Sequence, residues 1–266
     1  MFRKIKAYIS NFLKSDTQKV LIIDGARQVG KSYIIREAGT ELFENYVEIN
    51  LMEDSLNNRY FENTKSTSDF YLQLSMIAGN KLKDKENTLI FLDEIQAYPH
   101  LLTLLKFLNQ DNRFTYIASG SLLGVTLSQT SSIPMGSIEV KHMFPMDFEE
   151  FLIANNFGEQ AISTLKGKIK NRETLEENIH NNLFGLFKKY LLSGGLPDAV
   201  KTFIETNNIV SVRTIQNQIH EYYGMDASKY DLEHKLKIKR IFDMIPVSTE
   251  TRQSKKTKCD TKNKKV

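Results

Sequence analysis

The sequence is poor in residues that cross-link a chain or anchor it in a membrane. Its 266 residues include one cysteine, Cys259, and no tryptophan. A single thiol excludes an internal disulfide and is typical of proteins of the reducing cytosol. No apolar run approaches the roughly 20 residues of a membrane-spanning helix, and the N-terminus lacks the cleavage pattern of a signal peptide. We therefore predict a cytoplasmic protein without a membrane segment.

An excess of one charge is also missing from most of the chain. The formal net charge is +4, but residues 251–266 hold seven cations and one anion, whereas residues 1–250 hold 29 cations and 31 anions. The body is slightly acidic, and the surplus belongs to a polar tail. Such a tail predicts only weak, salt-dependent nucleic-acid binding. The 16 Phe and 11 Tyr residues exclude a wholly disordered chain.

Short apolar runs alternate with helical patterns in the first half of the chain. Runs of this kind are typical of strands covered on both faces, and their alternation with helices favours a parallel sheet. The predicted strands are Val20–Asp24, Tyr46–Leu51, Thr88–Asp93, Phe114–Ser119 and Ser137–Met143. The predicted helices between them are Lys31–Gly39, Asp69–Leu82 and Leu101–Asn109. We predict an α/β domain over residues 1–143 that begins with an amphipathic N-terminal helix.

Only helical patterns follow Met143. They predict an α-helical subdomain over residues 144–246, with a break at Gly194-Gly195-Leu196-Pro197. Residues 247–266 lose hydrophobic periodicity and are predicted to form a disordered basic tail. The predicted helices are Pro145–Asn155, Glu159–Lys170, Arg172–Ser193, Asp198–Asn207, Val210–Tyr223 and Lys235–Met244.

A glycine-rich segment joins the first predicted strand to the next helix. It reads Gly-Ala-Arg-Gln-Val-Gly-Lys-Ser over residues 25–32. Its glycines permit a tight turn whose backbone N–H groups form an anion nest, and the helix adds the positive end of its dipole. This is the phosphate-binding pattern called Walker A, in which Lys31 reaches the β- and γ-phosphates and Ser32 ligates Mg²⁺. The predicted nucleotide-binding residues are Gly25, Ala26, Arg27, Gln28, Val29, Gly30, Lys31 and Ser32.

A second apolar strand ends in two acids, Asp93 and Glu94. In an open α/β sheet, ligands bind at the carboxyl ends of the strands, where the glycine-rich segment also lies. Asp93 is therefore predicted to hold Mg²⁺ together with Ser32, as a Walker B acid. Glu94 is predicted to act as the general base that activates water.

A third strand ends in Ser119-Gly120-Ser121. A hydroxyl at this point can position the γ-phosphate or the attacking water. Both serines satisfy the pattern, and Ser119 is the preferred candidate for this catalytic role.

Together these residues resemble the prokaryotic AAA-type ATPases of the AAA+ superfamily. The resemblance rests on the three segments above, including Leu-Asp-Glu-Ile-Gln at residues 92–96, and on three later stretches. These are Phe-Pro-Met-Asp-Phe-Glu-Glu-Phe-Leu at 144–152, Tyr-Leu-Leu-Ser-Gly-Gly-Leu-Pro at 190–197 and Tyr-Gly-Met-Asp at 223–226. It implies an AAA+-like P-loop core, an α-helical lid and a C-terminal domain of unknown function that is missing or truncated here.

The chain departs from the family pattern at one further position. Many relatives carry an arginine after the glycine at position 136, where this chain has Ser137. An arginine there would contact phosphate charge, so its absence bears on the rate of hydrolysis. Arg27 is the alternative source of that charge.

The resemblance and the residues together predict Mg²⁺-dependent ATP binding and hydrolysis, coupled to an unknown protein partner or to a homo-oligomer. Two alternatives stay open. One is a nucleotide switch or scaffold, associated with DNA, that hydrolyses ATP slowly or not at all. The other is a small-molecule kinase, against which Glu94 argues because a kinase needs an acceptor pocket rather than an acid aimed at water.

Overall fold

A computed structural model describes residues 1–15, 17–121 and 136–227 and the short pieces 236–237, 240–241 and 243–244. The chain divides into two compact units, Met1–Glu205 and Thr206–Val266. Six of the ten residues of the predicted helix Lys235–Met244 are described, and these short pieces are helical, whereas the predicted tail lies outside the described residues. The predicted domain boundaries at residues 143 and 246 stay predictions.

A five-stranded parallel sheet forms the centre of the first unit, with strand order β2-β3-β4-β1-β5. The side chains of β1 and β3 are almost entirely buried, because the sheet is covered on both faces. This explains the near-continuous apolar runs in the sequence. The strands are β1 Val20–Asp24, β2 Asn45–Asn50, β3 Thr88–Asp93, β4 Thr115–Gly120 and β5 Ile138–His142.

Helices cover both faces of this sheet. The helices of the sheet region are α1 Ile5–Lys14, α2 Lys31–Leu42, α3 Leu51–Leu56, α4 Thr67–Ala78 and α5 His100–Gln110. One core contains Ile9 of α1 and Ile34 of α2 together with side chains from one face of the sheet. A second core joins the opposite face to α3, α4 and α5. The predicted amphipathic N-terminal helix is α1, and its Ile9 is fully buried.

An α-helical region follows the sheet, as predicted. It comprises α6 Phe148–Ala154, α7 Glu159–Lys170 and α8 Glu177–Ser193 in the first unit, and α9 Pro197–Thr206, all but the last residue of which lies in that unit. In the second unit, α10 spans Ile209–Ala227, and the Asn208 side chain accepts a 2.8 Å hydrogen bond from the Val210 backbone N–H near its start.

Several predicted boundaries are wrong: the helix predicted from Arg172 begins at Glu177, and the helix predicted to end at Leu82 ends at Ala78. Two further errors have local reasons. Strand β2 ends at Asn50, and Leu51 begins α3, because the Asn50 side chain accepts the Glu53 N–H and caps that helix. The predicted helix at Pro145 begins later, at Phe148. There Asp147 and Glu150 form a capping box, in which each side chain accepts the other residue's backbone N–H.

Candidate functional site

The three sequence segments that predict chemistry meet at the carboxyl edge of the sheet. Strand β1 runs into the glycine-rich segment, which we call the phosphate loop (residues 25–32), and β3 and β4 end beside it at Asp93 and Gly120. All of these strands are parallel. Their carboxyl ends therefore present the predicted residues to one another, which is the usual place for a ligand in this architecture.

The backbone of the phosphate loop turns sharply into α2. Gly30 has φ 93° and precedes Lys31, the first residue of the helix. Lys31 is only 5% exposed, and its ammonium donates to the carbonyl oxygens of Gly25 and Ala26, each at 2.9 Å. The backbone at the start of the loop therefore surrounds the Lys31 ammonium, which lies at the start of α2.

A neighbouring strand holds the base of the loop. The Met143 N–H, just beyond β5, donates to the Asp24 carbonyl at 2.7 Å. A Cβ at Gly25 would lie 2.3 Å from the Met143 carbonyl oxygen. Only glycine fits where these two backbones approach each other.

Burial lowers the pKa of the Lys31 ammonium from its ordinary value, because a charged group loses hydration there. Three carboxylates oppose this shift, of which Glu94 acts most strongly, followed by Asp93 and Asp24. The lysine is therefore the cation around which these acids are grouped.

Asp93 is the centre of a hydroxyl network. Its Oδ2 accepts a 2.7 Å hydrogen bond from the Ser32 hydroxyl, and its Oδ1 accepts a hydrogen bond from the buried Ser119 hydroxyl. The two residues predicted to hold Mg²⁺ are therefore in direct contact. Hydroxyl and carboxylate oxygens are the hard ligands that Mg²⁺ prefers, with phosphates and water completing its octahedron. The donors present suit this ion.

Glu94 and Ser121 belong to a separate pair of contacts. Glu94 has φ 56° and ψ 50°, a left-handed conformation, and its carboxylate accepts a hydrogen bond from the Gln96 amide. The same amide nitrogen donates to the Ser121 hydroxyl at 3.1 Å, and the Gln96 side-chain oxygen Oε1 accepts the Ser121 N–H at 3.3 Å. Ser119 thus contacts the predicted metal ligand, whereas Ser121 contacts the predicted base.

The expected role of position 137 is wrong for this chain's own loop. The Ser137 carbonyl accepts the Val20 N–H at the amino end of β1, whereas the phosphate loop follows Asp24 at the other end. Four residues of strand separate the two points by about 13 Å. An arginine at 137 would therefore lie at the amino ends of the strands, away from the loop. Having serine there in place of arginine takes no positive charge away from this loop.

A cavity of 720 Å³ opens beside the phosphate loop. It is mainly apolar at its surface, and its wall includes Gly30 of the loop and Pro197 of the Gly-Gly-Leu-Pro break. Other wall residues come from the N-terminal segment, α2 and α6, among them Phe2, Tyr33 and Ile153. Sequence reasoning did not assign these three residues to a site, because they are far apart in the chain.

Three polar residues near the site were also missed. Gln96 lies within the Leu-Asp-Glu-Ile-Gln stretch, so its nearness to Glu94 was the available signal. His142 Nδ1 lies 2.8 Å from the Asp24 carboxylate at the carboxyl end of β5. Arg3 donates to the Val29 carbonyl of the loop, and no local pattern marks it.

A parallel sheet of this order, with a lysine-bearing loop after β1 and an acidic pair at the carboxyl end of β3, is a P-loop NTPase fold of the AAA+ type. A family model described as an AAA domain matches residues 17–152, just over half of the chain, and the chain belongs to this family. A second model, a domain of unknown function (DUF8612), matches residues 185–263. The resemblance seen in the sequence is confirmed.

Two solved structures are among those to which the chain is similar. The Walker-type ATPase PABY2304 of Pyrococcus abyssi is 14% identical, with 84% of this chain and 72% of that chain covered and a TM-score of 0.46. AMPPCP-bound DnaA from Aquifex aeolicus is 12% identical, with 84% and 66% covered and a TM-score of 0.45. No curated protein matches significantly. In the described part of the chain, no helix combines the length and apolar character needed to cross a bilayer.

Proposed function

We propose that the chain binds ATP with Mg²⁺ and hydrolyses it. The observation that carries the proposal is the contact between Ser32 and Asp93 beside a buried lysine, Lys31, in the phosphate loop. These are the groups that phosphoryl chemistry needs: a cation and backbone N–H groups for phosphate, and hard oxygens for a metal ion. The AAA domain match supports the nucleotide as ligand.

The phosphate loop would bind the β- and γ-phosphates. Its backbone N–H groups and the start of α2 supply partial positive charge, and Lys31 supplies a full charge without protruding into solvent. Its two bonds to loop carbonyls hold the ammonium in place. The site is therefore organised before phosphate arrives, which reduces the cost of binding.

Ser32 and Asp93 would hold Mg²⁺. When bound, the ion would neutralise charge on the β- and γ-phosphate oxygens. Ser119 donates to the other oxygen of Asp93 and so keeps that carboxylate turned toward Ser32. In this proposal Ser119 acts through Asp93 in addition to its predicted role at the γ-phosphate.

Glu94 would accept a proton from the attacking water. It acts on Lys31 more strongly than the other acids, which supports its placement near the phosphate-binding groups. Gln96 donates to one oxygen, Oε2, and so restricts the rotation of the carboxylate. The water then attacks the γ-phosphorus, and its proton goes to Glu94 as the bond to the β–γ bridging oxygen breaks.

The apolar cavity beside the loop would receive the adenine base. It adjoins Gly30 and offers the Phe2, Tyr33 and Pro197 side chains as wall. Apolar and aromatic walls with few polar groups are typical of such pockets. Closure of helices in region 145–205 around the nucleotide would link its state to a partner. That partner, a second copy of the chain, and weak nucleic-acid binding by the tail all stay predictions.

The test is to measure nucleotide binding and phosphate release with purified protein. Lys31→Ala should weaken ATP binding by about 10- to 150-fold, because hydrogen bonds to charged groups contribute about 1.5–3 kcal/mol. Glu94→Gln should bind ATP normally and lose about 10²- to 10⁴-fold in turnover. Lys83→Ala and Glu44→Gln, both at exposed positions, serve as matched controls.

The same measurements separate the alternatives. Wild-type protein that binds ATP but releases no more phosphate than Glu94→Gln is a nucleotide switch, and the hydrolase proposal fails. Phosphate that appears on an added small molecule identifies a kinase. Failure of wild type to bind ATP at all removes the whole proposal.

A further inference from the structure

Arg3, near the N-terminus, reaches the phosphate loop. Its side chain is 6% exposed, its Nη1 donates to the Val29 carbonyl at 2.6 Å and its Nη2 donates to the Phe144 carbonyl at 2.5 Å. Its Nε lies 3.2 Å from a Glu150 carboxylate oxygen. One guanidinium therefore joins the loop, the segment after β5 and α6.

This arrangement gives Arg3 one orientation. A buried charge is costly unless it is paired, and the planar guanidinium fork can satisfy several acceptors only in a fixed geometry. Glu150 is itself fixed, because it also accepts the Lys4 N–H at 2.7 Å and the Asp147 N–H at 3.2 Å. The anchor of Arg3 is thus the capped start of α6.

Fixing the Val29 carbonyl fixes the next N–H. In a planar trans peptide the C=O and the following N–H point in opposite directions, and there are no cis peptide bonds among the described residues. A Val29 carbonyl held by Arg3 on one side of the chain therefore turns the Gly30 N–H to the other side. Gly30 lies between Val29 and Lys31, where the loop must supply donors to phosphate.

We propose that Arg3 is a positioning residue for nucleotide binding: it holds the Val29–Gly30 peptide so that the Gly30 N–H faces the phosphate, and it ties this peptide to α6. The inference rests on the proposed nucleotide-binding function. It also gives a role to the Phe-Pro-Met-Asp-Phe-Glu-Glu stretch of residues 144–150, which supplies Arg3 with two of its three partners.

The test compares four variants of the full chain. Arg3→Met keeps an apolar stem and removes the fork, whereas Arg3→Lys keeps the charge for Glu150 with one nitrogen in place of three. Glu150→Gln disturbs the same network from the other side and keeps a capping side chain. Arg113→Met is the matched control, because Arg113 packs on the Tyr71 ring beyond the amino end of β4, away from the loop.

Two measurements are made at temperatures well below each variant's midpoint of unfolding. The first is the affinity for ADP without Mg²⁺, which depends on the loop and not on the metal ligands. The second is amide hydrogen exchange in the peptide that covers residues 25–32, without nucleotide. Arg3→Met should weaken ADP binding about tenfold, the change that corresponds to one hydrogen bond, and speed exchange in the loop. Arg3→Lys should fall between Arg3→Met and wild type, and Arg113→Met should match wild type.

Wild-type ADP affinity in Arg3→Met, unchanged loop exchange, or an equal loss in Arg113→Met would each overturn the inference. If Arg3→Met does not fold, Glu150→Gln decides by the same two measurements. If wild type binds no ADP, the proposed function fails. Loop exchange alone then decides whether Arg3 orders the loop.

Discussion

The Ser32 hydroxyl donates a 2.7 Å hydrogen bond to Asp93, which lies 61 residues further along the chain. Strand β1, which leads to Ser32, and strand β3, which ends in Asp93, are not neighbours, because β4 lies between them. The bond therefore crosses the end of β4, whose Ser119 contacts the same carboxylate. These two hydrogen bonds connect the carboxyl ends of β1, β3 and β4 at the proposed metal site.

Asp93→Asn tests this point because the amide keeps the size of the side chain and removes its charge. We expect Mg²⁺ to strengthen ATP binding in wild type and to lose most of that effect in the variant. Binding of ADP without Mg²⁺ should change little. Titrations with and without Mg²⁺ measure the difference, with Asp111→Asn, at an exposed position, as control. An undiminished Mg²⁺ effect in Asp93→Asn would remove Asp93 from the metal site.

Gln96→Ala tests the orientation of the proposed base. The variant keeps Glu94 but removes the amide that restrains its carboxylate. We expect kcat to fall about tenfold with KM for ATP unchanged, because positioning of a general base acts on the chemical step. Gln110→Ala, at the exposed end of α5, should leave both constants unchanged. A raised KM with normal kcat would contradict this role.

Gly195→Ala tests a close contact between two family stretches. A Cβ there would lie 2.2 Å from the Met146 carbonyl oxygen. The Met146 backbone N–H in turn donates to the Gly195 carbonyl oxygen. We expect a loss of about 1–3 kcal/mol in the free energy of unfolding, since a crowded backbone must shift. Gly167→Ala is the matched control within α7, where a Cβ meets nothing within 4 Å, and it should gain about 0.5–1 kcal/mol. Urea unfolding measures both, and equal effects would refute the contact argument.

Ala154→Trp tests the proposed adenine pocket by filling it. Ala154 lines the cavity at the end of α6, so an indole there competes with a base but not with phosphates. We expect weaker binding of ATP and unchanged binding of inorganic tripolyphosphate. Ala161→Trp, in a separate groove, provides the control. Equal losses for both ligands would place the effect at the loop instead.

Tyr8→Phe tests a pH-dependent contact between α1 and β5. The hydrogen bond that the Tyr8 hydroxyl donates to Glu139 raises the pKa of Tyr8 to about 12, and burial adds to the shift. Because the folded-state pKa of Tyr8 lies above the unfolded value of about 10, its hydrogen bond contributes stability that is fully present below pH 10. That stability is lost as the pH rises toward 12. The stability difference between wild type and Tyr8→Phe should therefore be constant from pH 7 to 9 and shrink above pH 10. Urea unfolding across this range measures it, and a pH-independent difference would contradict the assignment.

The sequence predicts most of the architecture because its strands are buried on both faces. Val20–Asp24 and Thr88–Asp93 match the observed strands, since their apolar runs have sharp polar ends. Leu51 was misassigned because its apolar side chain fits a strand as well as a helix. The capping bond of Asn50 decides between them, and only the folded chain shows that bond.

The site is less predictable where its residues meet through tertiary structure alone. Arg3 contacts carbonyl groups 26 and 141 residues away, so no spacing rule identifies it. Position 137 was expected near phosphate, yet the parallel pairing of β1 with β5 places it at the amino ends of these strands, and the phosphate loop follows the carboxyl end of β1. Pairing of β1 with β5 determines where position 137 lies, and contacts with the phosphate loop and with the segment after β5 determine where Arg3 lies.

The central place of β1 also has a consequence for biosynthesis. Its residues pair with Ile117–Gly120 and with Ile138–His142, which leave the ribosome long after the phosphate loop itself. The nascent loop therefore emerges as a glycine-rich segment without neighbouring strands, and long-range pairing of this kind is slow to form. We expect the growing chain to acquire nucleotide affinity only after β5 has emerged, so that ATP acts on a completed sheet and not as an early template for folding.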